Sequence, residues 1–294
     1  MIHIGTAGWS ISSRYRAALA GEGSHLQRYA RRFDIVEINT SFYRHHQPQT
    51  YARWASCVPG NFRFSLKTPN TMTHEGELIA HRDVLAQFAE EVSQLGDKLA
   101  VVLVQLPPKL EFDAAEAKRF FKAFQKRIRV PLACEPRHPT WASPEARELL
   151  TACHVARVAA DPPPFEGADL PDGWKELAYF RWHGKPRKYY SDYDRDSLDA
   201  LKVQLMAANQ RASDVWAIFD NTALGHATGN ALTIQREIAG GPEYEAREHA
   251  KPAQRRVAGS RNRSGRVSPG VGAGSVAAGK RATRNPRPAH RGSS

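Results

Sequence analysis

The feature that most restricts this chain is a regular alternation of two kinds of apolar pattern. Short runs rich in branched and aromatic residues recur at 2–9, 34–39, 61–67, 99–106, 130–135, 155–161, 177–183 and 215–220. Several of these alternate apolar with polar residues, as a strand does, since successive side chains leave opposite faces. The run 99–106 is apolar throughout, which fits a strand covered on both faces in a parallel sheet. Between the runs lie stretches with apolar residues three and four apart, expected as helices over 24–33, 48–57, 82–95, 113–126, 143–153, 196–210 and 227–238. In 82–95 the stripe is Val84, Leu85, Phe88, Val92 and Leu95, and in 113–126 it is Phe120, Phe121 and Phe124. Ser24 and Ser143-Pro144 are placed to start helices, and Pro136 and Pro162-Pro163-Pro164 to stop strands. Residues 165–175 read as loop. Eight strands mostly alternating with helices define an α/β chain, expected to close as a (β/α)8 barrel of the TIM type. An open, doubly wound sheet is the alternative, because alternation alone does not require closure.

The pattern dissolves after Gly240-Gly241-Pro242, so the chain divides into a folded part, 1–240, and a tail, 241–294. Of the 42 Lys and Arg residues, 12 fall in 245–294 against 2 acidic ones, leaving 30 basic and 28 acidic residues before it. The high net charge therefore belongs to the tail. It is rich in Arg, Gly, Ser, Ala and Pro, with too little apolar surface to offset its chain entropy, and is expected to be disordered. Such a tail can hold nucleic acid or another polyanion without sequence preference, or act only as a solubilising appendage. Cys57, Cys134 and Cys153 are isolated and odd in number, which suits buried thiols in a reducing compartment better than a disulfide framework or zinc site. No long apolar run suggests a membrane span or leader, so the expected location is the cytoplasm.

The strand ends carry the chemistry. Glu37 and Asn39 share one face of their strand while Val36 and Ile38 share the other. Lys67 ends the third strand, Gln105 the fourth, and Glu135 the fifth with Arg137 and His138 just beyond. Asp161 ends the sixth in phase with Arg157 and Ala159, Arg181 and His183 end the seventh, and Asp220-Asn221 the eighth. One polar strand end is ordinary, since it meets a loop or a cap. Seven in succession point to a ligand site at the carboxyl-terminal face, where such barrels hold their sites.

The same residues carry a resemblance. Glu37-Ile-Asn39-Thr-Ser-Phe42-Tyr43, Phe64-Ser-Leu-Lys67, Thr73-His74, Gln105-Leu-Pro-Pro108, Glu135-Pro-Arg137-His138-Pro-Thr-Trp141, Arg181-Trp-His183-Gly184 and Phe219-Asp220-Asn221-Thr222 resemble the signatures of the YecE-like family. They run in order from Gly5 to about Glu237. The resemblance implies a TIM-type barrel and no established activity. Two departures stand out: the stretch between Trp9 and Ser24 is shorter than the family's aromatic-rich loop, and Asp220 stands where the family more often has asparagine.

Three chemistries compete for these residues. In the first, an enzyme works by acid/base catalysis on a polar or anionic small molecule, sugar- or phosphate-like. Glu37, Glu135, Asp161 and His183 would be the catalytic groups, and Asn39, Lys67, His74, Gln105, Arg137, Arg181, Asp220 and Asn221 would bind the substrate. Trp9, Phe42, Tyr43 and Trp141 would line its walls, or pack as core and rim. No cofactor is expected in this reading. In the second, Glu37, His74, Glu135, Asp161 and His183 hold a divalent metal, as in isomerase or phosphoesterase barrels, although the interspersed cations oppose it. In the third, a non-enzymatic barrel binds a ligand or nucleic acid with the tail as tether. Lys67 is expected in an ion pair with Glu37 or Glu135, with a Schiff-base role if desolvated. His46 is expected at the surface, the basic loop holding Tyr189 as a lid or solvated face, and Arg181 as replaceable with the fold intact.

Overall fold

The computed structural model describes residues 1–75, 78 and 81–240. The expectations for the tail, 241–294, lie outside the described residues. In chain order the elements are β1 (Ile2–Thr6), α1 (His25–Tyr29), β2 (Ile35–Ile38), α2 (Pro48–Ser56), β3 (Arg63–Lys67), α3 (Asn70–Thr73), α4 (Arg82–Ser93), β4 (Leu99–Gln105) and α5 (Ala114–Arg127). There follow β5 (Leu132–Glu135), α6 (Pro144–Ala152), β6 (Val155–Arg157), β7 (Ala159–Asp161), β8 (Asp172–Gly173), β9 (Leu177–Trp182), α7 (Arg195–Asn209), β10 (Asp214–Phe219) and α8 (His226–Ile238). The mixed α/β pattern read from the sequence is the one observed.

Local chemistry starts the helices where expected. Ser24 and Gln27 form a reciprocal capping box at α1. Asp113, Ser143 and Asp194 each accept the N–H three residues on, at Glu116, Ala146 and Ser197. α1 ends at Tyr29, four residues short of the expected Phe33, and the Tyr29 hydroxyl donates to the Ile35 carbonyl at 3.0 Å. The run 155–161 is broken at Val158, whose N–H donates to the Cys134 carbonyl at 2.8 Å. β6 therefore pairs with β5, whereas β7 pairs with β9. The stretch 165–175 contains the two-residue β8, antiparallel to β6.

The strands form two sheets, ordered β1-β10-β9-β7 and β2-β3-β4-β5-β6-β8, with every pair parallel except β6–β8. Their edges approach one another. Ala7 bridges Glu37 in parallel sense, and the Gly8 N–H donates to the Glu37 carbonyl at 2.8 Å. Gly5 permits this approach, because a Cβ there would lie 2.5 Å from the Ile35 carbonyl oxygen.

Alternation sorts the apolar side chains into two cores. The larger joins Val36, Phe64, Val102 and Phe180 to helix residues such as Phe88 and Phe120. The smaller joins Ile35, Val101, Leu103 and Ala133 of the six-stranded sheet to Tyr179, Trp216 and Ile218 of the four-stranded one. Polar residues in phase with this second core continue it toward the carboxyl ends of the strands. Among the described residues no helix is long and apolar enough to cross a membrane.

Two predictions follow from the strand contacts. Gly5→Ala forces backbone apart and is expected to lower unfolding free energy by about 1–3 kcal/mol, read by chemical denaturation. At the start of β1, His3 lies between Asp34 and Asp214, with Nε2 3.3 Å from Asp214 Oδ1. Hydrogen bonds to Asp214 and Asp34 push its pKa from 6.5 up to about 9, against the effect of burial. A raised folded-state pKa contributes stability that is complete below 6.5 and lost as pH rises through 9. Denaturation midpoints are expected to fall across that window in the wild type and to fall less in His3→Gln.

Candidate functional site

The carboxyl ends of the strands converge on Arg181, the last inward-facing residue of β9, only 1% exposed. Its Nε and Nη2 donate to Glu37 Oε2 and Oε1 at 3.0 and 2.8 Å, a bidentate fork. Nη1 donates to Glu135 Oε2, and Nη2 also reaches Asp220 Oδ2 at 2.9 Å. Three carboxylates from β2, β5 and the end of β10 thus share one guanidinium. Arg137 supplies a second cation, donating from Nε and Nη2 to Glu135 Oε1 at 3.0 and 2.9 Å. The Tyr179 hydroxyl donates to Glu37 Oε2 at 2.8 Å and lies 2.6 Å from Ser65 Oγ. His183 Nδ1 is 3.1 Å from Asp220 Oδ2; its Nε2 lies 3.3 Å from Glu135 Oε1 but out of line for a hydrogen bond.

Burial alone would push these carboxyls up. Arg181 and Arg137, with His183, instead hold Glu135 well below the usual range, and Arg181 and His183 hold Asp220 low. Burial would likewise favour neutral Arg181, but Glu37, Glu135 and Asp220 keep it charged. Tyr179 is driven well above the ordinary phenol range by burial and by Glu37, so it remains a donor.

Lys67 is different. It is 7% exposed, yet no hydrogen bond or ion pair to its Nζ is found among the described residues. The expected pair with Glu37 or Glu135 does not form, because the arginines occupy those carboxylates. The ammonium lies 3.8 Å above the centroid of the Phe42 ring. Burial and the nearby Arg181 lower its pKa from 10.5 to about 8, partly offset by Glu135, Glu37 and Asp220.

Lys67 lines a cleft of about 560 Å³ together with Asn39, Tyr189 and Asp220. Trp9, Tyr43, Arg44, His46 and Trp54 make up its outer wall. Trp9 meets Trp54 edge-on at 5.0 Å, and Trp54 meets His46 at 5.1 Å. Asn39 Nδ2 is 3.4 Å from Asp220 Oδ1, while its own Oδ1 is buried without a partner. Tyr189, left-handed at φ 70°, presents its hydroxyl to Arg137 Nη2 at 3.3 Å. His74 packs edge-on against Phe42 at 4.9 Å; burial, then the charges of Lys67 and Arg137, lower its pKa and keep it neutral.

Most of the residues expected from the sequence are brought together: Glu37, Asn39, Lys67, Glu135, Arg137, Arg181, His183 and Asp220 share the network or its cleft. Gln105 is buried beside it, in register with Glu135. Asp161 is not part of it. It shares the phase of Ala159, which belongs to the helix-side core, and its Oδ1 is 3.3 Å from Lys185 Nζ. Asn221 is scaffold: Nδ2 donates to the Ser191 carbonyl and to Asn230 Oδ1. Trp141 is core, donating to the Leu110 carbonyl at 3.1 Å, and His138 hydrogen-bonds within its own turn to Thr140. Of the metal set anticipated as an alternative, Glu37 and Glu135 are taken by Arg181 and Asp161 lies apart, and among the described residues no group of three His, Cys, Asp or Glu side chains is placed to hold an ion. Tyr179, Arg44, His46 and Trp54 were not anticipated. The in-phase spacing of Leu177, Tyr179 and Arg181 was a usable signal for the first.

The bonds to Glu37, Glu135 and Asp220 make Arg181 a candidate contributor to stability as well as to the site. Arg181→Met leaves three buried carboxylates short of a partner and is expected to cost about 3–5 kcal/mol. Glu135 and Asp220, no longer held low by Arg181, then take up protons more readily than in the wild type. The deficit in chemical denaturation should therefore shrink as pH is lowered from 8 toward 5.5.

Comparisons with known proteins establish the family and the fold. UPF0759 protein YunF of Bacillus subtilis (strain 168) is 26% identical over 263 residues, covering 78% of this chain and 92% of that protein. UPF0759 protein YecE of Escherichia coli (strain K12) is 33% identical over 107 residues, covering 36% of this chain and 38% of its own. Crystal structures of DUF72 family proteins share the fold. One from Enterococcus faecalis V583 aligns with a TM-score of 0.70 at 22% identity, over 83% of this chain and 97% of that one. Another, from Thermotoga maritima MSB8, aligns with a TM-score of 0.67 at 23% identity, over 81% of this chain and 99% of that one. The family model described as "Protein of unknown function DUF72" matches residues 3–255, and the chain belongs to that family.

Proposed function

We infer that the two parallel sheets are arcs of one (β/α)8 barrel, and that the cleft at its carboxyl end binds an anionic small molecule for acid/base chemistry. Support for closure comes from the Ala7–Glu37 bridge at one junction and the single-residue break at Val158 at the other. The small core shared by both sheets supports it as well. Support for the ligand comes from one observation above the rest: Lys67 lines the cleft with a buried ammonium that has no ion-pair partner among the described residues. With Arg44 at the wall, the cleft lining carries two cations against the single carboxylate of Asp220. A desolvated cation without a partner is costly, and an incoming carboxylate or phosphate removes that cost.

The network gives each neighbour a role. Arg181 and Arg137 consume the charges of Glu37 and Glu135, so these acids position and polarise. Asp220 joins network and cleft, and through His183 it is the carboxylate best placed to relay a proton. Trp9, Tyr43 and Trp54 offer ring faces to the apolar side of a sugar-like ligand.

The test is a thermal-shift screen of the full chain with phosphorylated and carboxylated sugars. A ligand at a hundredfold its Kd adds about 2.7 kcal/mol, expected to raise the Tm by roughly 5 °C or more. Lys67→Met, checked for native circular dichroism, should lose the response. Equal responses in wild type and variant, or none to any anion, would sink the assignment.

A further inference from the structure

We propose that Lys67 is a covalent catalyst, its Nζ condensing with an aldehyde or ketone carbonyl of the substrate to form an imine. This rests on the cleft being the substrate site and narrows the substrate class to carbonyl compounds that also carry an anionic group. The geometry supplies what an imine-forming amine needs. Lys67 Nζ is not tied up in a hydrogen bond or ion pair among the described residues, it opens onto a cleft, and it is packed over an apolar ring face. An amine meant only to neutralise the network would be expected within bonding distance of Glu37, Glu135 or Asp220. Those acids bond to Arg181, with Arg137 also on Glu135. The pKa of about 8 leaves on the order of a hundredfold more free amine at neutral pH than an ordinary lysine has. The titratable and charged groups around Lys67 are Arg181, Glu37, Glu135, Asp220 and His74.

The step balances with groups at hand. The ammonium gives its proton to a base, and the free Nζ attacks the carbonyl carbon as the C=O π bond breaks. A proton moves from nitrogen to oxygen to give the carbinolamine. Tyr189, which lines the cleft and whose hydroxyl accepts from Arg137, can donate a proton to the departing oxygen. The C–O bond then breaks, water leaves, and an iminium remains on Lys67. Tyr189 recovers the proton first released, so one water is lost and the charge on Lys67 is retained. The cation on nitrogen would acidify the carbon beside the former carbonyl.

The experiment incubates the full chain with glyoxylate, pyruvate or glyceraldehyde 3-phosphate and sodium cyanoborohydride at pH 7.5, followed by peptide mass mapping. The reduced adduct is expected on the peptide carrying Lys67 in marked excess over every surface lysine, and absent from Lys67→Arg, which keeps the charge but forms no stable imine. Inorganic phosphate should slow the labelling by competition. Labelling spread evenly over surface lysines with Lys67 unmodified overturns the proposal. If Lys67 is unlabelled while anions still raise the Tm in a Lys67-dependent way, Lys67 is an anion clamp and the cleft assignment stands. If neither occurs, both fall.

Discussion

The guanidinium of Arg181, forked on Glu37 and bonded also to Glu135 and Asp220, is the interaction on which the carboxyl-terminal face depends. Each acid comes from the end of a different strand, and burial would push Glu135 and Asp220 toward the neutral form if they were left alone. A single delocalised cation satisfies all three because its donors fan out in one plane toward partners on different sides. Lysine, with one compact charge, cannot do this. The pairing therefore fixes how β2, β5, β9 and β10 meet at this end, and it links the four-stranded sheet to the six-stranded one through charge as the small core links them through apolar contact.

The same arithmetic isolates Lys67. Glu37, Glu135 and Asp220 carry three negative charges, while Arg181 and Arg137 supply two positive ones. Lys67 brings the group near neutrality without touching any of the acids. It balances the field from a distance, leaving its amine open to the cleft. The proposed chemistry depends on an interaction withheld: the stronger cations take the acids, and the weaker one keeps its amine free of them.

Much of this was legible beforehand because strand phase is strict. Glu37 with Ile35, Lys67 with Ser65, Glu135 with Ala133, and Arg181 with Tyr179 all follow the side-chain alternation that the inner core obeys. Asp161 shows the rule by failing it: its phase partner Ala159 faces the helices, so an acid at a strand end was carried to the wrong side. What sequence could not show was the apportioning of charges. Whether Lys67 or Arg181 takes Glu37 turns on distances of an ångström, not on periodicity. The outer wall was equally hidden, because Trp54 reads as an ordinary helix-face residue until α2 is set against Trp9.

That wall has a consequence of its own. Trp9, Tyr43, Arg44 and His46 come from the first two strand-to-helix passages and Trp54 from α2, whereas the charged floor is gathered from strands across both sheets. The aperture and the chemistry are thus drafted by different parts of the chain. Substitution at these wall positions can resize the entrance while the charge network beneath stays put, so under the proposed reading one floor can serve molecules of different girth.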